Sequence, residues 1–493
     1  MLTSTSLDAT RIRDTITRLV DEHHLPGIAV GVVSGDELIY SDGFGLADIE
    51  SGTPMTPDHR QRIASITKTM VGLCAMALVD EGRLSLKDRV VDLLPDITFN
   101  GPADSLTVWH LLTHTGGIGE APTIKDINDP FRLLFTDAPI PATLVEGYAD
   151  GITIETVPGT KWAYANHGYF LLGEIIARIE NSAIPDVVQR RIFDPLGMSN
   201  SDMLDLPHPD LSTGYHRAPD DDERELLLRA GREIPDEETV DGYNIRSGEY
   251  PKEWGRGAAG GVQSTIFDMA RYASALLRKG KGIVQPGTFD EMVSPQWRSD
   301  PRLQAWGLGF CVRDRFGRPV FGHGGSAFGG WNTHISIYPQ AGHGILIHMN
   351  IVYDKFDTAI VPAIHLAVLN IEPPPRPDLP IDPNILRGFA GVYEASLPGP
   401  LTNFRVVTGS GRVQVSARDG GLVLHARRGP WKHGVSMLPV DAAQPDLFLL
   451  DTGDPDPPRV VAVFDPTGGV TALHFAGSTL WTMHRNDRIE PWA

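Results

Sequence analysis

The chain is 493 residues long, 41% hydrophobic and 21% charged, and its 62 acidic against 43 basic side chains leave a net charge of −19. That excess of negative charge argues against nucleic acid and anionic membrane surfaces as partners, and the length argues against a single compact core, so two or three domains are expected. The N-terminal "MLTSTSLDATRIRDTITRLVDEHH" has no apolar leader-like run, and no stretch reaches the roughly 18 apolar residues of a membrane span, so a cytoplasmic protein with no membrane partner is expected.

In chain order, "PGIAVGVVSGDELIYSDGFG" (26–45) predicts two strands joined at a Ser-Gly-Asp turn. A helix follows from near Ser65 and stops at Gly82, a glycine placed just past the end of the periodic apolar pattern. Helical periodicity recurs in "LTVWHLLTHTGG" (106–117), "HGYFLLGEIIARIENS" (167–182) and "TIFDMARYASALLRKGKG" (265–282), and "THISIYPQAGHGILIHMNI" (333–351) returns to strands around a turn. Strands at both ends with helices between them read as a mixed sheet covered by helices. Within this region residues 206–254 are polar and acid-rich, including "PDDDERELLLRAGREIPDEETVDG". They are expected to form a surface insertion, either a flap or, as is usual for such charge runs, a solvated loop with one short helix.

Six prolines in "IEPPPRPDLPIDP" (371–383) mark an extended linker at 373–383, which divides a domain of residues 1–372 from one of residues 384–493. Beyond it, the short runs "GVYEA", "FRVVTG", "RVQVSARDG", "LVLHARRG", "LFLLDTG", "RVVAVFD" and "TALHFAG" predict a small antiparallel barrel, with Trp431 and "STLWTMHR" in its core and rim. The only two cysteines, Cys74 and Cys311, lie far apart in apolar settings and are expected to be buried free thiols.

Ser65 and Lys68 stand three apart at the head of the first long apolar helix, so the amine lies on the same face as the hydroxyl. A serine hydroxyl becomes a nucleophile only when a neighbouring base takes its proton. Lysine serves as that base only when burial or another cation lowers its pKa, and the following "MVGLCAMALV" offers burial. Alone, such a pair is more often a cap and a solvated charge. Tyr164 and Asn166 follow a Pro-Gly turn and precede an apolar helix, which leaves a phenol to relay the serine proton and an amide to hold a substrate. In "PVFGHGGSAFGGWNTHISIYP", His323-Gly324-Gly325 adjoins a strand where glycines let a ligand approach the backbone. There the N–H of Ser326 can join that of Ser65 as an oxyanion donor. On their own, Tyr164 as a half-buried aromatic and His323 as a hydrogen-bonded turn histidine are the ordinary alternatives. No His-Glu-x-x-His motif occurs among the 17 histidines, so neither metal nor cofactor is expected, and there is no Gly-x-Ser-x-Gly elbow.

In this order the three elements resemble the serine β-lactamase and penicillin-binding-protein superfamily, nearest its class C-like branch with the D-aminopeptidases and β-lactamase-fold esterases. Ser65-Ile66-Thr67-Lys68 matches the Ser-x-x-Lys motif, Tyr164-Ala165-Asn166 the Tyr-x-Asn motif, and His323-Gly324-Gly325 occupies the Lys-Thr-Gly position. The stretches "FGLADIESGTPMTPDHRQRIASITKTM", "LTVWHLLTHTGGI", "FDPLGM" and "GRGAAGGVQSTIFDMARY" are similar too, over about residues 10–370. The resemblance implies an α+β fold, an antiparallel sheet flanked by helices with a helical subdomain, followed by the lipocalin-like β-barrel that "LRGFAGVYEA" (386–395) resembles.

It also implies acyl transfer in two steps, with Ser65 as nucleophile, Lys68 and Tyr164 managing its proton, and Asn166, His323, Gly325 and Ser326 binding the substrate. Histidine in place of lysine departs from the β-lactamase and D,D-carboxypeptidase pattern and, being mostly neutral at pH 7, weakens carboxylate recognition. The expected function is an amidase or peptidase on small peptides or amino-acid amides. An esterase or acyltransferase on the same site and a non-catalytic scaffold are the alternatives. Asp220, Asp221 and Asp222 of the insertion are candidates to hold a substrate ammonium. A small molecule or short peptide is the expected partner, and a homo-oligomer is left open.

Overall fold

The computed structural model describes residues 7–118, 143–203, 208–217, 239–240, 243–245, 257–327, 329–381, 386, 388–395, 412–418, 420–427, 431–476 and 480–489. Strands β1 (Gly27–Ser34) and β2 (Glu37–Asp48) form the expected hairpin, turning at Gly35 with a φ of 57°. With β3 (Thr53–Pro54), β4 (Ala305–Trp306), β5 (Cys311–Arg315), β6 (Arg318–Ala327), β7 (Trp331–Tyr338) and β8 (His343–Met349) they build an eight-stranded sheet ordered β4-β5-β6-β7-β8-β1-β2-β3. Every pairing is antiparallel. This is what the resemblance implied and corrects the mixed sheet read from element order. The late strands form a meander, and its last strand lies antiparallel against the first, Ile28 opposite Met349.

Helices cover both faces, which is why β1 is apolar along nearly its whole length. On one side Ile28, Val30 and Val32 pack with Ile12 and Ile16 of α1 (Ala9–His23), and the same core takes in Val361 and Ile364, near the C-terminal end of the sheet domain. On the other, Ala29 and Val33 join a larger core with α2 (Thr67–Asp80), α3 (Asn166–Glu180) and α4 (Ile266–Leu277). Residues 67–78 of α2 are all buried, so this helix has no solvent face. It ends as its glycine predicts: Gly82 takes a φ of 69°, its N–H bonds the Val79 carbonyl, and the Arg83 N–H bonds that of Leu78. The helix expected over 106–117 is shorter, Val108–Leu112, because Thr107 caps its start and the chain turns at Thr113 and His114.

Residues 371–381 run without helix or strand. Strands β9 (Gly391–Ala395), β10 (Arg412–Arg418), β11 (Gly421–Ala426), β12 (Val435–Asp441), β13 (Gln444–Leu450), β14 (Arg459–Phe464), β15 (Val470–Ala476) and β16 (Leu480–Arg485) then close an antiparallel barrel. "FRVVTG" lies outside the described residues, β12 and β16 were not among the expected strand runs, and Trp431 packs on the barrel core. Part of 206–254 is woven into the main body: Tyr215–Arg217 pairs in parallel with Ile351–Val352, and the Tyr215 side chain is fully buried. Asp220, Asp221 and Asp222 lie outside the described residues. Cys74 and Cys311 are free thiols, the first buried and the second only half-buried.

Candidate active site

Ser65 sits in a tight 3₁₀ turn, Ala64–Ile66, that feeds directly into α2. The turn is strained at Ala64, whose φ of 47° is uncommon for a residue with a side chain. Surrounding structure holds it there. Ala64 packs on Ala327 and Trp331, the Ile63 N–H donates to the Val262 carbonyl at 3.0 Å, and Gln61–Arg62 pairs with Gln263–Ser264. One helical turn on, Lys68 is buried, and its Nζ donates to Ser65 Oγ at 2.9 Å and to the Ala259 carbonyl at 2.6 Å. The same Nζ lies 5.0 Å from the Tyr164 ring centre and 5.6 Å from that of Tyr169.

Strand β6 runs against this turn. A Cβ at Gly325 would lie 2.3 Å from the Ile63 carbonyl, so only glycine lets the two backbones meet, and Thr333 Oγ1, opposite Gly325 in the register, donates to that carbonyl at 2.9 Å. Ser326, the next residue, is exposed. Because β5 begins at Cys311, opposite Gly322, residues 323–327 have no strand on that side among the described residues.

His323 is buried on β6 and donates from Nδ1 to the Gly324 carbonyl at 2.5 Å. Burial first, and then the positive charge of Lys68, push its pKa down to about 3 against the opposing pull of that hydrogen bond, so the ring is neutral. It stands 6.2 Å from the Tyr164 ring and 5.5 Å, edge-on, from Trp306. Asn166 is the first residue of α3, two beyond Tyr164. Ser65, Lys68, Tyr164, His323 and Gly325 therefore converge on one place, with Asn166 and Ser326 adjoining them in the chain.

Three site residues escaped sequence reasoning. Ala259 supplies the second acceptor for Lys68. His114 stacks on Tyr164 with ring centres 4.2 Å apart. Trp306 stands with Trp162 in an apolar cluster that also takes in Tyr164, Trp297 and Ala476, the last residue of barrel strand β15. "GRGAAGG" and "LLTHTGG" held the only local signal for the first two; Trp306 had none. Among the described residues no group of histidine, cysteine and acidic side chains has metal-holding geometry.

Residues 12–369 match the Beta-lactamase family. The chain belongs to that family. As a beta-lactamase-family protein it is a serine hydrolase. It is 26% identical over 401 residues to the esterase EstB of Burkholderia gladioli, covering 74% of this chain and 97% of that protein. A penicillin-binding-protein homologue from Pyrococcus abyssi, described as octameric, superposes with a TM-score of 0.61 at 22% identity, over 97% of this chain and 100% of that one, so the likeness takes in the barrel. The D-amino acid amidase of Ochrobactrum anthropi SV3 superposes with a TM-score of 0.59 at 23% identity, over 73% and 99%. No helix among the described residues of this family member is long and apolar enough to cross a membrane.

Proposed function

We propose that the chain hydrolyses amides, small peptides or amino-acid amides, through an acyl-enzyme on Ser65. The observation that carries this reading is the buried Lys68 Nζ, 2.9 Å from Ser65 Oγ and anchored on the Ala259 carbonyl. In its neutral form an amine so placed takes the Oγ proton while it still donates to Ala259. Tyr164, whose ring lies beside Nζ, shares the relay toward the leaving group. Ser65 Oγ attacks the carbonyl carbon, the backbone N–H groups of Ser65 and Ser326 hold the oxyanion, and the amine departs with the relayed proton. Water then cleaves the ester by the same relay. Asn166 holds the acyl side, the open edge of β6 at Gly325 receives the substrate backbone, and His323 orients the leaving group.

The neutral His323 supports amides over carboxylate-bearing lactams, since the position that carries a lysine in β-lactamases has no positive charge here. Ester hydrolysis is the second reading, favoured by the 26% identity to EstB over nearly all of that esterase. A paired panel decides between them: amino-acid p-nitroanilides of both hands, p-nitrophenyl esters and a chromogenic cephalosporin, with Ser65→Ala as blank. Serine-dependent anilide cleavage is the expected result. Ester cleavage alone would make the chain an esterase or acyltransferase, and no serine-dependent turnover of any of these substrates would overturn both readings.

A further inference from the structure

We propose that His114 is a positioning residue that clamps Tyr164 in its working orientation. The inference rests on the reading that Tyr164 relays the Ser65 proton. His114 grips the tyrosine at three points. The N–H of Ala163, just before Tyr164, donates to the His114 carbonyl at 2.9 Å. The N–H of Ala165, just after it, donates to His114 Nδ1 at 3.1 Å. Between these bonds the imidazole lies face to face with the phenol ring, centres 4.2 Å apart and planes 25° from parallel. His114 makes these contacts from a left-handed φ of 57°, which histidine tolerates better than most side chains. Trp306 and Trp162 stand edge-on to the imidazole, at 5.0 and 5.9 Å, and prevent it from swinging away.

The chemistry of the ring suits this task and no proton transfer. Nδ1 accepts from an amide, so any proton sits on Nε2, and burial together with the Lys68 charge keeps the ring neutral. His114 thus fixes the phenol beside the Lys68 amine without adding a second cation to the site.

The test uses the full-length chain and a fluorophosphonate probe that labels an activated serine, with labelling rates expressed per titrated active site. His114→Ala is expected to slow Ser65 labelling by roughly tenfold to a hundredfold, the scale for a misplaced catalytic group. His114→Asn keeps an acceptor for Ala165 and tolerates the left-handed backbone, and is expected to recover much of that loss. In a Tyr164→Phe background, His114→Ala is expected to cost little more, because both changes remove the same function. Should His114→Ala fail to fold, His114→Asn and His114→Phe, which keep the acceptor and the ring respectively, carry the comparison with Tyr164→Phe. Unchanged per-site rates, or an equal loss with and without the Tyr164 hydroxyl, would overturn the clamp. A wild-type chain that takes no label on Ser65 would instead overturn the acyl-enzyme reading beneath it.

Discussion

At the scale of single residues, burial decides which side chains carry charge. His323 and His348 are both buried and both pushed down to about pKa 3, His348 by burial alone. Their folded-state values lie below the ordinary 6.5, so between pH 6.5 and about 3 the unfolded chain binds protons that the native chain refuses. The stability they contribute is complete above pH 6.5 and is lost as pH falls, by on the order of 1 kcal/mol per pH unit for each group. Urea midpoints are therefore expected to fall steadily from pH 7 to pH 4.5, and the slope to shrink in His348→Leu. The Ser65–Lys68 contact was legible in sequence because residues three apart on a helix share a face, while its catalytic reading came from the resemblance carried by the three motifs together. Neutral His323 was legible only in part: its ordinary pKa already made it mostly uncharged at pH 7, but the further shift comes from burial and from Lys68, more than 250 positions away.

At the scale of elements, the placement of Ser65 depends on a strand meeting a turn. Gly325 is the contact, with the Ile63 carbonyl and Thr333 Oγ1 each 2.3 Å from where a Cβ would sit. Gly325→Ala must push β6 away from the Ser65 turn, so a loss of about 2–4 kcal/mol, typical of overpacking and disturbed buried hydrogen bonds, is expected together with loss of Ser65 labelling. Thermal denaturation and probe labelling of the same sample check both. The β1–β2 hairpin, helix α2 and its glycine stop were predictable from period and punctuation alone, whereas β12 and β16 were not. The helix over 106–117 was overextended because Thr113 and His114 fit a helical pattern, while the tertiary grip on Tyr164 holds His114 in a left-handed turn.

At the scale of the molecule, the barrel is docked on the sheet domain by polar and apolar contacts. Leu303 packs with Leu447 and Val461, Arg302 holds Asp446 through both guanidinium ends, and Arg315, 1% exposed, bonds Asp456 at 2.8 Å. Arg315 also reaches His365 Nδ1 at 3.1 Å. Asp456→Ala leaves a buried guanidinium without its carboxylate and is expected to cost about 3 kcal/mol. Asp446→Ala, at a more exposed pair, is expected to cost about 1 kcal/mol or less. Calorimetry of the two variants checks the order, and equal melting points would deny Arg315 its role at the interface. Ala476, which carries β15 into the Trp162–Trp306 cluster, makes the docked barrel part of the wall beside Tyr164.

Local order in the chain was enough to mark out Ser65 with Lys68, Tyr164 with Asn166, the glycine-rich stretch at His323 and a barrel after the proline run, and the resemblance carried by those motifs together supplied the roles expected of them. Each of these is written in neighbouring residues, whose spacing sets the geometry through helix period, strand alternation or turn chemistry. Tertiary structure alone decided that β6 abuts the Ser65 turn, that Ala259 holds Lys68, that His114 clamps Tyr164 and that Ala476 reaches the site. Those contacts join positions from about fifty to more than three hundred residues apart, and no periodicity records them, because packing and hydrogen bonding select such partners only after the chain has closed on itself.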